Sequence, residues 1–114
     1  MSDFAIARTL ALSLPEATEQ DHHGMASFRV RGKIYATVPD PEHLRVMLGE
    51  HDIRAAVAEN PQTCAELYWG KRLSCVVVTL AAARPELLAE LITDAWLSKA
   101  PKGLARELLD RGDR

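Results

Sequence analysis

The chain has 114 residues, 47% of them hydrophobic and 26% charged, and a formal net charge of −2. These values are typical of one globular domain, here residues 1–114, and they exclude a protein that binds polyanions through its overall charge. Any nucleic-acid surface must therefore be a local basic patch. The two cysteines have no CxxC spacing, which favours reduced thiols and a cytoplasmic location.

The N-terminal segment is predicted to be a helix and not a signal peptide. In "DFAIARTLALSL" the apolar positions recur at helical spacing, Arg8 interrupts the apolar run, and Pro15 ends the helix. A membrane span needs about 20 consecutive apolar residues, and no stretch approaches that length, so we expect no membrane contact. The polar segment that follows, "ATEQDHH", is predicted to be a short or edge strand.

Apolar residues then alternate with polar ones at a period of two. Phe28 and Val30 share one face of a strand, and Gly32 supplies a turn. "KIYATV" and, after the turn "PDPE", "HLRVMLG" repeat the alternation, with inward residues Ile34, Ala36, Val38, Leu44, Val46 and Leu48. Three consecutive strands of this kind predict an antiparallel sheet that is covered on one face only.

The second half of the chain supplies helices for the covered face. "EHDIRAAVAEN" is predicted to be a helix, "PQTCAELYWGKRLS" a loop, and "CVVVTL" a central strand. Pro85 is well placed as the first residue of a helix whose apolar stripe lies across the sheet, and "PKGLARELLDRGDR" is a short terminal helix. We therefore expect an α+β fold: a single domain with an antiparallel β-sheet and helices packed on one face.

No catalytic or metal-binding motif is present. Neighbouring His22 and His23 would point to opposite faces of a strand, and no His-x₃-His pair lies on a predicted helix. The cysteines and serines do not lie in a sequence pattern that would activate them as nucleophiles, such as a nucleophile elbow or a Cys/His arrangement. The glycines are dispersed and do not form a phosphate-binding loop. We therefore expect no metal, no cofactor and no enzymatic activity.

The outer face of the predicted sheet is the best candidate site. The strand phases place on it Arg29, Arg31, Lys33, Tyr35, His43 and Arg45, and the loop that carries Lys71 and Arg72 could extend it. A flat basic surface with an aromatic residue can bind phosphates and stack bases, so we expect weak, non-specific and salt-sensitive DNA binding. The alternative is a solvated face whose charges prevent strands from pairing at the edge.

Four segments, in this order, resemble the MmcQ/YjbR family: "LSLPEATEQDHH", "SFRVRGKIYATV", "WGKRLSCVVVTL" and "ELITDAWLSKAPKGL". The resemblance covers nearly the whole chain, and "FRVRGKIYAT" is its most specific element. It implies a CyaY-like, double-wing α+β fold, and a DNA-binding role by analogy with that fold. The positions that match firmly are Phe28, Gly32, Lys33 and Ala36. The chain departs from the family at His23-Gly24-Met25 and at "LYWGKRLSC", which lacks the family's histidines.

Three classes of function remain open. If the protein is a nucleic-acid-binding module, we expect one contiguous positive face. A protein-interaction or oligomerisation domain predicts an exposed apolar patch that contains Met25, Met47 and Trp69. An enzyme predicts a deep pocket in which titratable groups converge, with candidates His22, His43, Tyr35 and Cys75.

Overall fold

The protein folds into helices and strands that run through most of the chain. The computed structural model describes residues 2–112. Its helices are α1 (Phe4–Leu12), α2 (Glu50–Glu59), α3 (Pro85–Lys99) and α4 (Lys102–Gly112), and a short 3₁₀ turn covers Leu80–Ala82. Its strands are β1 (Ala17–His22), β2 (Met25–Val30), β3 (Lys33–Asp40), β4 (His43–Val46), β5 (Cys64–Trp69) and β6 (Arg72–Thr79). The last two residues of the predicted terminal helix, Asp113 and Arg114, lie outside the described residues.

All the strands form one antiparallel six-stranded sheet, in the order β1-β2-β3-β4-β6-β5. The predicted α+β architecture is therefore confirmed. The segment "ATEQDHH" supplies the edge strand β1 with all but its last residue, His23, and the apolar strand β6 is interior, with neighbours on both sides. None of the helices within residues 2–112 is long and apolar enough to cross a membrane.

The helices pack against one face of the sheet, which we call the covered face. Helix α3 lies against β3 and β4 and α2 against β5 and β6, while α1 packs on α3 and β1. Helix α3 contributes a wide apolar stripe to the core: Leu88, Leu91, Ile92, Ala95 and Trp96. The indole Nε1 of Trp96 donates a hydrogen bond of 3.0 Å to the carbonyl of Pro15, which ties α3 to the loop after α1. Trp96 is fully buried, so its ring belongs to the core between the helices and the sheet.

A β-bulge in the β2–β3 hairpin changes the predicted strand phase. Phe28 lies opposite Ala36, but the next residue, Arg29, lies opposite Ile34, so Tyr35 is the extra residue on β3. A bulge of this kind allows two consecutive residues to point toward the same face. Tyr35 and Ala36 are both fully buried, and the Tyr35 hydroxyl donates a 2.8 Å hydrogen bond to the carbonyl of Ala11 in α1. The prediction that Tyr35 points outward and Ile34 inward is therefore wrong.

The segment predicted as a loop after α2 is instead a second hairpin. β5 and β6 pair from Cys64 to Trp69, and Gly70, with a φ of +64°, and Lys71 form the turn between them. A second register shift, at Leu67/Tyr68, leaves Ser74 as the extra residue on β6. The loop prediction was wrong because the charged and aromatic residues of β5, an edge strand, obscure its alternation.

Candidate functional site

The face of the sheet opposite the helices, the open face, holds a cleft of about 850 Å³. Strand pairing places Arg29 opposite Ile34, Thr37 opposite Arg45, and Trp69 opposite Arg72 on this face. The cleft continues to the loop before α2 and to the C-terminal end of α3; it is lined by His22, His23, Met25, Ile34, Thr37, Arg45, Met47, Leu48, Gly49, Glu50, Trp69, Arg72, Leu73, Ser74, Ser98 and Lys99. A concavity of this volume is in the usual range of ligand-binding clefts.

Arginines give the open face its charge. Arg29 and Arg45 are half-buried and Arg72 is exposed. The Arg29 Nε donates a 3.1 Å hydrogen bond to the Ser27 hydroxyl, which in turn donates to the carbonyl of Gln20. Within residues 2–112 the guanidinium groups of Arg45 and Arg72 form no hydrogen bond or ion pair, so their donors are free for an anion.

The charge of the cleft is not cancelled by acidic neighbours. Among the residues that line it, Glu50 alone is acidic, and Arg54 donates a 2.9 Å hydrogen bond to its carboxylate. Lys99 adds a further cation at the C-terminal end of α3. The cleft is therefore a locally positive surface on a protein whose formal net charge is −2.

Apolar and aromatic side chains share the cleft with these cations. The side chain of Trp69 is 57% exposed, a high value for tryptophan, while Met25 and Met47 are half-buried. His22 ends β1, as predicted, but His23 lies in the turn with a φ of +53°, and the two rings are 4.4 Å apart between centroids. The prediction that these histidines point to opposite faces is wrong because His23 is not part of the strand.

Three other predicted site residues do not line the cleft. Arg31 is in the hairpin turn, and its guanidinium donates two hydrogen bonds, of 2.5 and 2.9 Å, to the Glu16 carboxylate. This ion pair lowers the pKa of Glu16 and raises that of Arg31. Lys33 lies opposite Val30, a core residue, and paired residues share a face, so Lys33 is on the covered side of the sheet. Lys71 is exposed in the β5–β6 turn beside the cleft. The placement of Arg31 and Lys33 on the open face is therefore corrected.

The predicted residue His43 lies at one end of the open face, opposite Thr79. Its Nδ1 is 2.9 Å from a carboxylate oxygen of Asp40, and this contact is the main reason that the pKa of Asp40 is lowered. Together with Glu42 these side chains bring ligand-type atoms within 4.8 Å of one another. The Asp40 carboxylate also accepts the backbone N–H of Glu42, so the cluster is an ordinary turn motif.

Both cysteines are free and buried, and burial raises the pKa of each thiol. Cys75 alternates with the core residue Val76, so it faces the open side of the sheet, where the charge of Arg45 opposes the effect of burial. Tyr35, His22, His43 and Cys75 do not converge: Tyr35 is buried beneath α1, and of these residues only His22 lines the cleft.

The comparisons with known proteins agree with this architecture. The YjbR family model matches residues 12–98, from the end of α1 to the last turn of α3. The chain belongs to the YjbR family. The match includes the whole sheet and every residue that lines the cleft except Lys99. A comparison with curated proteins gave no match.

A solved structure shares the YjbR-like fold. The crystal structure of a Deinococcus radiodurans protein with a DUF419 domain superimposes on the chain with a TM-score of 0.72. The two proteins are 24% identical, and the superposition covers 86% of this chain and 78% of the other. This similarity confirms the fold of the sheet and its helix layer.

Proposed function

We propose that this YjbR-family protein binds nucleic acid weakly and without sequence specificity through the cleft on its open face. The observation that carries the proposal is that Arg45 and Arg72 line one cleft with no anionic partner within residues 2–112. Arg29 extends the positive surface along β2. Guanidinium groups bind phosphate oxygens through paired N–H donors, so three of them on one face suit a polyanion.

The proposed role is binding and not catalysis. The titratable groups that would serve an active site are separated, with Tyr35 on the covered side of the sheet and His43 held by Asp40 at one end. The free cysteines Cys64 and Cys75 suit a reducing compartment, and we propose the cytoplasm as the location.

Fluorescence anisotropy with labelled DNA tests the proposal. Three phosphate contacts give a slope of log K against log salt of about −2.1 to −2.7, so binding should weaken about 20- to 40-fold when salt rises from about 50 to about 200 mM. The variant Arg29→Gln/Arg45→Gln/Arg72→Gln should lose this binding and most of the salt dependence.

A second variant controls for charge alone. Arg84→Gln/Lys102→Gln/Arg106→Gln removes the same charge from exposed positions at the start of α3 and on α4. It should bind DNA as the wild type does. Equal loss of binding in both variants, or no binding at low salt by the wild type, would refute the proposal.

A protein-interaction role is the second candidate, and the composition of the cleft is the observation in its favour. Met25, Met47 and the exposed Trp69 lie in the same cleft as Arg45, and such a mixed surface is common at the centre of protein interfaces. Sedimentation velocity distinguishes the two roles: a concentration-dependent dimer that Trp69→Ala abolishes would favour self-association through this face.

A further inference from the structure

We propose that the cleft selects single-stranded over double-stranded nucleic acid, with an unpaired base stacked on Trp69 and the adjoining phosphates held by Arg72 and Arg45. This inference rests on the proposed function and names the class of nucleic acid that the site takes. It follows from the shape of the cleft, the position of its aromatic residue and the composition of its floor.

The recessed position of Arg45 favours a single strand over a duplex. Arg45 lies on β4, an interior strand, and its side chain is half-buried within the concavity. A duplex presents its phosphates on a convex and rigid surface, which meets a recessed guanidinium less readily than the flexible backbone of a single strand does. One or two unpaired nucleotides are small enough to enter the cleft and to reach the recessed guanidinium.

Trp69 is positioned as a stacking platform. It is the last residue of β5, it lies opposite Arg72, and 57% of its surface is exposed at the rim of the cleft. A base in a duplex is already stacked on its neighbours, whereas an unpaired base gains about 1–3 kcal/mol by stacking on an aromatic ring. Because Arg72 is the residue directly across the strand pair, a phosphate next to the stacked base would meet a cation.

The floor of the cleft favours bases and sugars over a continuous row of phosphates. Met25, Ile34 and Met47 contribute apolar surface to the same cleft as the cations. A surface that binds duplex backbone is normally polar and strongly basic throughout. A cleft that combines apolar and cationic side chains suits both the bases and the phosphates of a single strand.

Anisotropy titrations with three labelled probes test the inference: oligothymidylate and oligouridylate of about 15 nucleotides, and a DNA duplex of the same length. We expect at least one single strand to bind at least about tenfold more tightly than the duplex, and the better of the two single strands identifies DNA or RNA. Trp69→Ala should weaken single-strand binding about tenfold and leave duplex binding unchanged.

Tyr68→Ala is the matched control. Tyr68 is the neighbouring aromatic, 44% exposed, but it directly precedes Trp69 on β5, so it faces the opposite side of the sheet and does not line the cleft. This variant should bind all probes as the wild type does. Circular dichroism melting of both variants checks that the fold is retained, as expected for exposed positions.

The outcomes separate this inference from the proposed function. The single-strand inference is overturned if single strand and duplex bind with equal affinity and Trp69→Ala has no effect. If the triple arginine variant still loses binding in that case, the proposed nucleic-acid binding stands. An equal loss in the Tyr68→Ala control would also overturn the single-strand inference. Absence of binding to every probe would overturn both.

Discussion

Replacing Tyr35 with phenylalanine tests the bulge that separates the two faces of the sheet. The substitution keeps the buried ring and removes the hydroxyl that donates a 2.8 Å hydrogen bond to the carbonyl of Ala11. The Ala11 carbonyl still accepts a 3.4 Å hydrogen bond from the Leu14 N–H, and loss of the buried hydroxyl donor costs about 1–2 kcal/mol. For a domain of this size we expect a Tm lower by about 4–8 °C at neutral pH.

The pH dependence of this cost gives a second, independent check. Burial raises the pKa of Tyr35, so the folded state keeps its phenol neutral when the unfolded chain ionises near pH 10. Above that pH the unfolded state binds fewer protons than the folded state, and the wild type loses about 1.4 kcal/mol of stability per pH unit. The Tyr35→Phe variant lacks this loss. The difference in unfolding free energy between wild type and variant, which is present at pH 7, should therefore shrink toward zero near pH 11.

Urea unfolding at pH 7, 9 and 11, followed by tryptophan fluorescence, measures both effects. The two cysteines, whose pKa values are also raised by burial, are present in both proteins, so their contribution cancels. An ultraviolet titration of Tyr68→Phe then follows Tyr35 as the only remaining phenol. Two results together would refute the bulge assignment: equal stability of wild type and Tyr35→Phe at every pH, and a Tyr35 phenol that titrates near pH 10. They would show that Tyr35 is exposed to solvent.

Three further predictions follow from backbone and burial. Gly32→Ala should lower stability by about 1 kcal/mol because the φ of +81° disfavours a side chain. Gly103→Ala, at a position in α4 with open space and no positive φ, should not lower stability, and thermal melts compare the two variants. Asp94→Asn should raise Tm at neutral pH and not at pH 3, because partial burial and nearby carboxylates raise the pKa of Asp94 and make its charge unfavourable in the folded state. Cys64 and Cys75 should react with a thiol reagent only after denaturant is added, as a colorimetric thiol assay would show.

Strand alternation predicted most of the sheet because one face is covered and the other is open. It placed Phe28, Val30, Leu44 and Val46 correctly, and all of them are fully buried. It failed at Tyr35 because a bulge adds one residue to one strand of a pair. The sequence of one strand does not show how that strand pairs with its neighbour, so it does not show the bulge.

Long-range pairing limited the prediction of the site in the same way. Arg31 is neutralised by Glu16, which is 15 residues earlier in the chain and comes close only because β1 pairs with β2. The cleft was not predictable for a similar reason: Trp69 and Arg45 belong to strands that pair through β6, and no local pattern indicates that they share a concavity. The two-residue turn at Gly70-Lys71 between apolar segments was the available signal for the missed hairpin.

The second bulge explains why Trp69 and Arg72 lie on the same face. Strict alternation along β6 from Val76, a core residue, would direct Arg72 toward the helices. The extra residue at Ser74 shifts the phase, so that Leu73 enters the core and Arg72 turns to the open face, opposite Trp69. Bulges bend a strand and increase its twist, which favours a concave sheet. The aromatic and the cation of the proposed site are therefore adjacent because of a local irregularity in the sheet, and the first bulge has the complementary effect of removing Tyr35 from the same face.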